Sequence, residues 1–195
     1  VSLTWIEANN EPAVLISRLV PEPAIEMARR GAEIDAYGTD AAMPRPELLA
    51  RLRGKQGLIC MISEAIDQAL LDACPDLRVV SNVAVGFNNV DVAACTKRGV
   101  VVTNTPDVLT DTTADFAWAL LMATARRVVE GHLFVHAGKW NKWRIDLLVG
   151  QDIHHRTLGI CGMGRIGQAV ARRAAGFSMR ILYHDVRRAA ADIEK

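Results

Sequence analysis

The stretch Thr157-Leu158-Gly159-Ile160-Cys161-Gly162-Met163-Gly164-Arg165-Ile166-Gly167 decides the architecture of this chain. An apolar strand, Leu158 to Cys161, runs straight into a Gly-x-Gly-x-x-Gly turn that opens a helix. The helix reads to Ala175 and is ended by Gly176, and a second strand, Arg180 to His184, delivers Asp185 at its tip. That order is one βαβ unit. Glycine-rich turns are common, so the motif gains its meaning from the strand before it, the helix after it and an acidic residue eighteen positions beyond Gly167. The three glycines do different things. Gly162 permits the tight turn, Gly164 lets the backbone approach a pyrophosphate, and Gly167 allows close helix–strand packing. Free N–H groups at the helix start, around Arg165 and Ile166, would meet phosphates with the favourable end of the helix dipole. Asp185 would accept hydrogen bonds from the adenosine ribose. The cofactor-binding set is therefore Gly162, Met163, Gly164, Arg165, Ile166, Gly167 and Asp185. Asp185 favours NAD, because its charge repels a 2′-phosphate. Arg187 and Arg188 point to NADP, because a guanidinium accommodates that phosphate. NAD is the expectation and NADP the alternative.

Upstream of this unit, short apolar runs alternate with helical patterns. Ala13–Ile16, Ala32–Tyr37, Gly57–Met61, Leu77–Val80 and Val100–Val102 read as strands. Helices are predicted from Pro21 to Arg30, Pro46 to Arg53, Ser63 to Ala73 and Asp91 to Arg98, with Ser63 as an N-cap and Ile66, Leu70 and Leu71 on one stripe. Continuous apolar strands between helices predict a parallel sheet covered on both faces, a small doubly wound domain. Asn104-Thr105-Pro106 breaks the pattern. A helix is then predicted from Thr112 to Val129, apolar nearly all round from Ala114 to Ala125, as suits burial between layers or against another subunit. An irregular stretch, Gly138 to Gly150, carries Trp140 and Trp143.

The composition narrows the function classes. Half of the 195 residues are hydrophobic and 23% are charged, enough for a core. Lys plus Arg number 23 against 22 acidic residues, net +1, and no basic stripe speaks for nucleic acid. The first twenty residues are broken by Glu7 and Glu11 and show no secretory signal. The most apolar run, Phe116 to Ala125, falls short of the ~20 residues of a membrane span. Cys60, Cys74, Cys95 and Cys161 are widely spaced and read as reduced core thiols of a cytoplasmic protein. His154-His155 is the only adjacent histidine pair, and no metal site is expected.

Three further segments carry a family likeness. Val83-Ala84-Val85-Gly86-Phe87-Asn88-Asn89-Val90-Asp91, Thr103-Asn104-Thr105-Pro106-Asp107-Val108-Leu109-Thr110 and Thr112-Thr113-Ala114-Asp115-Phe116 resemble consecutive signatures of D-2-hydroxyacid dehydrogenases. Among these the likeness is closest to glyoxylate, hydroxypyruvate and 2-ketogluconate reductases. The resemblance implies an α/β fold: a flavodoxin-like substrate domain with a parallel sheet over residues 1–104, then an incomplete Rossmann NAD(P)-binding domain over 105–195. That second domain would carry a dimerisation arm and be truncated after its second strand. Val85 and Gly86 match the loop whose amides bind the substrate carboxylate, and successive amides do form anion nests. Read alone, Gly86 is a plain turn. Thr113 matches a hydroxyl near the cofactor, or is simply a residue of a helix start. Met61 falls where the family often lines its substrate pocket, although a core methionine is the simpler reading.

The implied activity is hydride transfer between NAD(P)H and a small 2-oxo or 2-hydroxy acid such as glyoxylate or hydroxypyruvate, in a homodimer. His155 stands where many relatives have glycine, a change expected to be tolerated in a turn. The family's catalytic arginine, glutamate and histidine lie beyond the second Rossmann strand. No catalytic residue is therefore assigned, His184 included, and the chain is expected to be a shortened form of a longer enzyme, inactive alone. Two strands are too few to bury their own faces, so exposed apolar surface is expected. The rival readings are a catalytically silent dinucleotide-binding or scaffold fragment, and a phosphite or formate dehydrogenase relative.

Overall fold

Short strands alternate with short helices through the first half of the chain, two of the helices capped by Asp67 and Asp91. The computed structural model describes residues 11–194; residues 1–10 and Lys195, which the two expected domain ranges include, lie outside it. The chain separates into two compact units between Pro106 and Asp107.

The first unit runs β1 (Ala13–Ile16), α1 (Glu22–Ala28), β2 (Glu33–Ala36), α2 (Arg45–Leu52), β3 (Gly57–Cys60), α3 (Gln68–Ala73), β4 (Val79–Asn82), α4 (Val92–Lys97) and β5 (Val101–Thr103). The strands pair in parallel in the order β2-β1-β3-β4-β5. Leu15, Leu58, Cys60 and Val80 from the sheet interlock with Leu48 and Leu52 of α2, Leu70 and Leu71 of α3 and Cys95 of α4 in one buried cluster. Each fully buried aliphatic side chain contributes roughly 1.5–3 kcal/mol, which is why these runs form strands despite their shortness. The sheet order reverses between β1 and β3, and open α/β sheets bind ligands at the carboxyl ends of strands around such a point.

Two local expectations change here. Ser63 does not cap a helix. The helix begins at Gln68, where Asp67 accepts a hydrogen bond from the Leu70 N–H at 2.9 Å, and the N–H groups of Leu70 and Met61 hold the two sides of the intervening turn to Asp67 and Glu64. The backbone bond from Leu70 holds the Asp67 carboxyl below the usual carboxylate range, with Arg45 assisting. Strand β4 reaches Asn82, past the expected Val80, because its register with β3 continues to Cys60.

The second unit contains α5 (Thr110–Ala125), α6 (Val128–His136), β6 (Thr157–Cys161), α7 (Arg165–Ala174), a 3-10 turn (Ala175–Phe177) and β7 (Arg180–His184). Strands β6 and β7 pair in parallel from Thr157–Arg180 to Cys161–His184. Helix α5 packs on α7: the Trp118 indole N–H donates to the Val170 carbonyl, its ring stacks on Phe177 at 4.7 Å, and Arg173 pairs with Asp111 and Asp115.

The single long helix expected from Thr112 to Val129 is two helices. Arg127 adopts a left-handed conformation (φ 55°), which ends one and starts the next. An arginine gives no sequence warning of such a break, since glycine or asparagine usually occupies it. Only Ala114 and Trp118 of α5 are buried within the chain, and Phe116, Leu120, Val129 and Leu133 stay exposed. On the two-stranded sheet Leu182 is 55% exposed, as so small a sheet requires. Cys161 is exposed too, unlike the three other cysteines and against the expectation that all four lie in the core. His155 takes a positive φ of 59°, the conformation that glycine adopts most cheaply. Among the described residues no helix is long and apolar enough to cross a membrane.

Candidate functional site

Two loops, one in each unit, carry most of the residues singled out from sequence, with Asp185 just past the end of β7 and Thr113 in α5. In the second unit the loop from β6 to α7 is fixed by its glycines. Gly162 sits at φ +96°, closed to most side chains, and its N–H donates to the His184 carbonyl at 2.8 Å. A Cβ added to Gly167 would lie 2.0 Å from the Gly162 carbonyl oxygen, so only glycine lets the helix start this close to the turn. A Cβ on Gly164 would meet nothing within 4 Å, which leaves the approach to the backbone open. Gly164 also precedes α7 without any side-chain cap, and the N–H groups of Arg165 and Ile166 have no acceptor among the described residues. These unpaired donors at a helix start are what a phosphate requires.

Asp185 closes this loop from the other side. Its Oδ2 accepts from the Met163 N–H at 2.6 Å and its Oδ1 from the Arg187 N–H at 3.1 Å. Those amide bonds, from Arg187 and then Met163, hold the carboxyl below its ordinary range. An ionised carboxylate has about four acceptor sites, so capacity remains for ribose hydroxyls. Met163 is held from both sides, because its carbonyl accepts from Gln168 Nε2 at 2.9 Å. Arg188 is engaged by Glu194, whereas the Arg187 guanidinium has no partner among the described residues. The Arg165 side chain turns away to Asp107 at 3.1 Å. The residues present therefore fit a dinucleotide: a glycine turn open to backbone approach, unpaired helix-start amides and a charged acceptor. A cavity of about 800 Å³ nearby is lined by Met163, Gln168, Tyr183 and Arg188 but by none of Gly162, Gly164, Gly167 and Asp185. It is a hollow beside the turn, not the phosphate cradle. Thr113 lies within the first turn of α5, half-buried, with its N–H bonded to the Leu109 carbonyl.

In the first unit the loop after β4 contains Val85 and Gly86. A Cβ on Gly86 would touch only Ile62 Cδ1 at 3.9 Å, so this glycine keeps space open without being demanded by its backbone. Met61, half-buried, follows the neighbouring strand β3 and donates its N–H to the buried Glu64 carboxylate at 2.7 Å. Glu64 also accepts from the hydroxyls of Ser17 and Ser63. Asn89 Nδ2 reaches the Met61 and Glu64 carbonyls, and Asn82, fully buried, faces Asn89. Burial, then the Glu64 charge, pushes the Cys60 thiol up to about 12. It stays protonated and donates to Asn82 Oδ1 at 3.5 Å.

Sequence reasoning misses this asparagine–glutamate network. Its one signal is polar Asn82 at the end of an otherwise apolar run. It also misses His132 and His136, whose rings lie 4.4 Å apart at one helical turn's separation on α6.

Known proteins place the chain. The catalytic domain of the D-isomer specific 2-hydroxyacid dehydrogenases matches residues 14–191. A glyoxylate reductase of Thermococcus kodakarensis is 50% identical over 177 residues, covering 89% of this chain and 53% of that protein. The crystal structure of the TT0316 protein from Thermus thermophilus superposes with a TM-score of 0.85 at 44% identity, over 91% of this chain and 57% of that one. An NADPH-dependent glyoxylate/hydroxypyruvate reductase from Sinorhizobium meliloti, solved with NADP and malonate, gives a TM-score of 0.73 at 30% identity, over 93% and 56%. The chain belongs to the D-isomer specific 2-hydroxyacid dehydrogenase family. It spans about half the length of the curated relatives it matches.

Proposed function

We propose that the chain carries the nucleotide-binding turn and the substrate-carboxylate loop of an oxidoreductase that moves a hydride between NAD(P)H and a small 2-oxo or 2-hydroxy acid such as glyoxylate or hydroxypyruvate. The observation that carries this reading is the β6–α7 turn, where Gly162, Gly164 and Gly167 open a backbone path to unpaired helix-start amides. The glyoxylate reductases among the relatives and the NADP complex of the Sinorhizobium protein support the substrate class and the coenzyme class.

When bound, the nicotinamide supplies the hydride that reduces the 2-oxo group. This chain's residues bind and orient. The free amides of Arg165 and Ile166, in the turn shaped by Gly162, Gly164 and Gly167 and held at Met163 by Asp185, would receive the pyrophosphate, and Asp185 the ribose hydroxyls. Its ionised carboxylate favours NAD, while the free Arg187 guanidinium offers a place for a 2′-phosphate. Thr113 is assigned a cofactor-side hydroxyl, and the amides of Val85 and Gly86 orient the substrate by its carboxylate. The first unit is the substrate domain and the second the dinucleotide domain. The proton donor and carbonyl-polarising cation of the family match no residue here, so these 195 residues by themselves do not turn over. The exposed apolar residues of α5 and α6, with Trp140 and Trp143, are assigned to contact with a second copy.

The test is calorimetric titration of the pure chain with NADH and NADPH, beside a glyoxylate reduction assay. Binding without turnover is the expected result. Turnover by the chain alone would contradict the absence of catalytic residues, and no binding of either nucleotide would overturn the reading.

A further inference from the structure

In the loop after β4, three successive peptide units have their carbonyls tied down and their N–H groups left free. The Ala84 carbonyl accepts from the Thr105 N–H at 2.9 Å. The Val85 carbonyl accepts from Asn104 Nδ2 at 2.9 Å, and the Gly86 carbonyl from Asn82 Nδ2 at 2.9 Å. None of the N–H groups of Val85, Gly86 and Phe87 has an acceptor among the described residues. In a planar trans peptide the C=O and the following N–H point in opposite directions. Holding the Ala84 carbonyl therefore aims the Val85 N–H, holding Val85 aims Gly86, and holding Gly86 aims Phe87.

We infer that Asn104 and Asn82 are positioning residues, which clamp the Val85 and Gly86 carbonyls and so turn the N–H groups of Gly86 and Phe87, alongside that of Val85, into a three-amide cradle for the substrate carboxylate. The inference rests on the proposed role of the Val85-Gly86 loop. It adds two asparagines and the Phe87 amide that neither the motif nor the resemblance assigns. The side-chain amides cannot swing freely. Asn82 is oriented by two donors at its Oδ1, the Cys60 thiol and Asn89 Nδ2, which leaves its NH2 facing Gly86. Asn104 sits just past β5, so sheet register carries its NH2 across to Val85, nineteen residues upstream. An amide N–H free of partners, half-exposed and rigidly aimed loses little on binding an anion, since its ordering has been met in advance. Three such groups in sequence fit an oxygen pair, the same chemistry as other backbone nests.

The probe is oxalate, a dicarboxylate with no reducible ketone, titrated into the ¹⁵N-labelled 195-residue chain and into Asn104→Ala. Asn104 is only half-buried, so the variant keeps the sheet, and the amides of Leu58 and Val80 serve as internal controls of folding. In the unaltered chain, oxalate shifts the amide resonances of Val85, Gly86 and Phe87 together. In Asn104→Ala the Gly86 amide is displaced before any ligand is added, and oxalate affinity falls about tenfold, as for a lost hydrogen bond. A residue that merely stabilised the fold would move the controls as well. An unchanged Gly86 resonance and an unchanged affinity in the variant would overturn the positioning role. Failure of oxalate to shift any of the three amides in the unaltered chain would instead overturn the carboxylate reading, whatever the variant does to Gly86.

Discussion

The two loops reach the same end, a row of backbone amides open to an anion, by contrary means. Around Gly162, Gly164 and Gly167 the chain is shaped first by what is missing: no Cβ stands between helix and turn at Gly167, and Gly162 takes a positive φ. Around Val85 and Gly86 it is shaped by what is added, since Asn82, Asn104 and Thr105 seize three successive carbonyls from outside the loop. A steric device is local and fragile to any side chain. A clamped device is distributed, and yields to loss of a distant donor.

The largest expected effect breaks the steric side. Gly167→Ala places a methyl 2.0 Å from the Gly162 carbonyl, where only backbone movement relieves the clash. Overpacking of that kind costs about 1–3 kcal/mol, so affinity for NADH falls roughly ten- to hundredfold by calorimetry. The same substitution at Gly164, which meets nothing within 4 Å in the free protein, leaves the melting temperature unchanged. Equal thermal loss from both would mean that the turn is not held by the Gly167 contact.

A middle-sized effect separates charge from shape. Asp185→Ser removes the carboxylate that repels a 2′-phosphate and leaves Arg187 in place. NADH binding then weakens about tenfold while NADPH binding strengthens, and Arg187→Ala weakens NADPH alone. If the nucleotide preference stays put in both variants, neither residue sets it.

The smallest effect concerns the clamped side. Asp67 caps α3 next to Ile66, whose N–H and carbonyl tie to Asn89 and Asp91 at the far end of the loop. Asp67→Ala costs about 1 kcal/mol, a fall of roughly 2–4 °C in melting temperature for a chain of this size. The Asp67 carboxyl titrates lower in the folded chain than in the unfolded one, chiefly through the Leu70 N–H. Its contribution is therefore complete above the unfolded value of about 4 and fades as pH falls through the folded value. The parent should lose more thermal stability than the variant between roughly pH 5 and roughly pH 3. Parallel curves would remove Asp67 from the account.

The difference between the loops also explains what can be read from sequence. The glycine turn is legible because its determinants are contiguous: a strand, three glycines and an acid follow each other along the chain. The parallel sheet of the first unit is legible for the same reason, through the apolar runs that end at Ile16, Met61 and Val102, although the third strand itself stops at Cys60. The carbonyl clamps are not legible. Asn104 meets Val85 and Asn89 meets Met61 only once β3, β4 and β5 are in register, and no local pattern announces a bond across nineteen or twenty-eight residues. Arg127 is invisible for another reason. Its left-handed conformation lies between α5 and α6, and no preference of arginine announces it. Ser63 misleads in the same way, because it has the chemistry of a cap while the turn spends its hydroxyl on Glu64.

The bond from Met163 to Asp185 has a kinetic meaning. It ties the tip of β7 to the glycine turn at 2.6 Å. On the proposed reading a nucleotide would meet a turn already tied to β7, so capture would be governed by diffusion and charge rather than by loop closure. Release would then carry most of the difference in residence time between one coenzyme and the other.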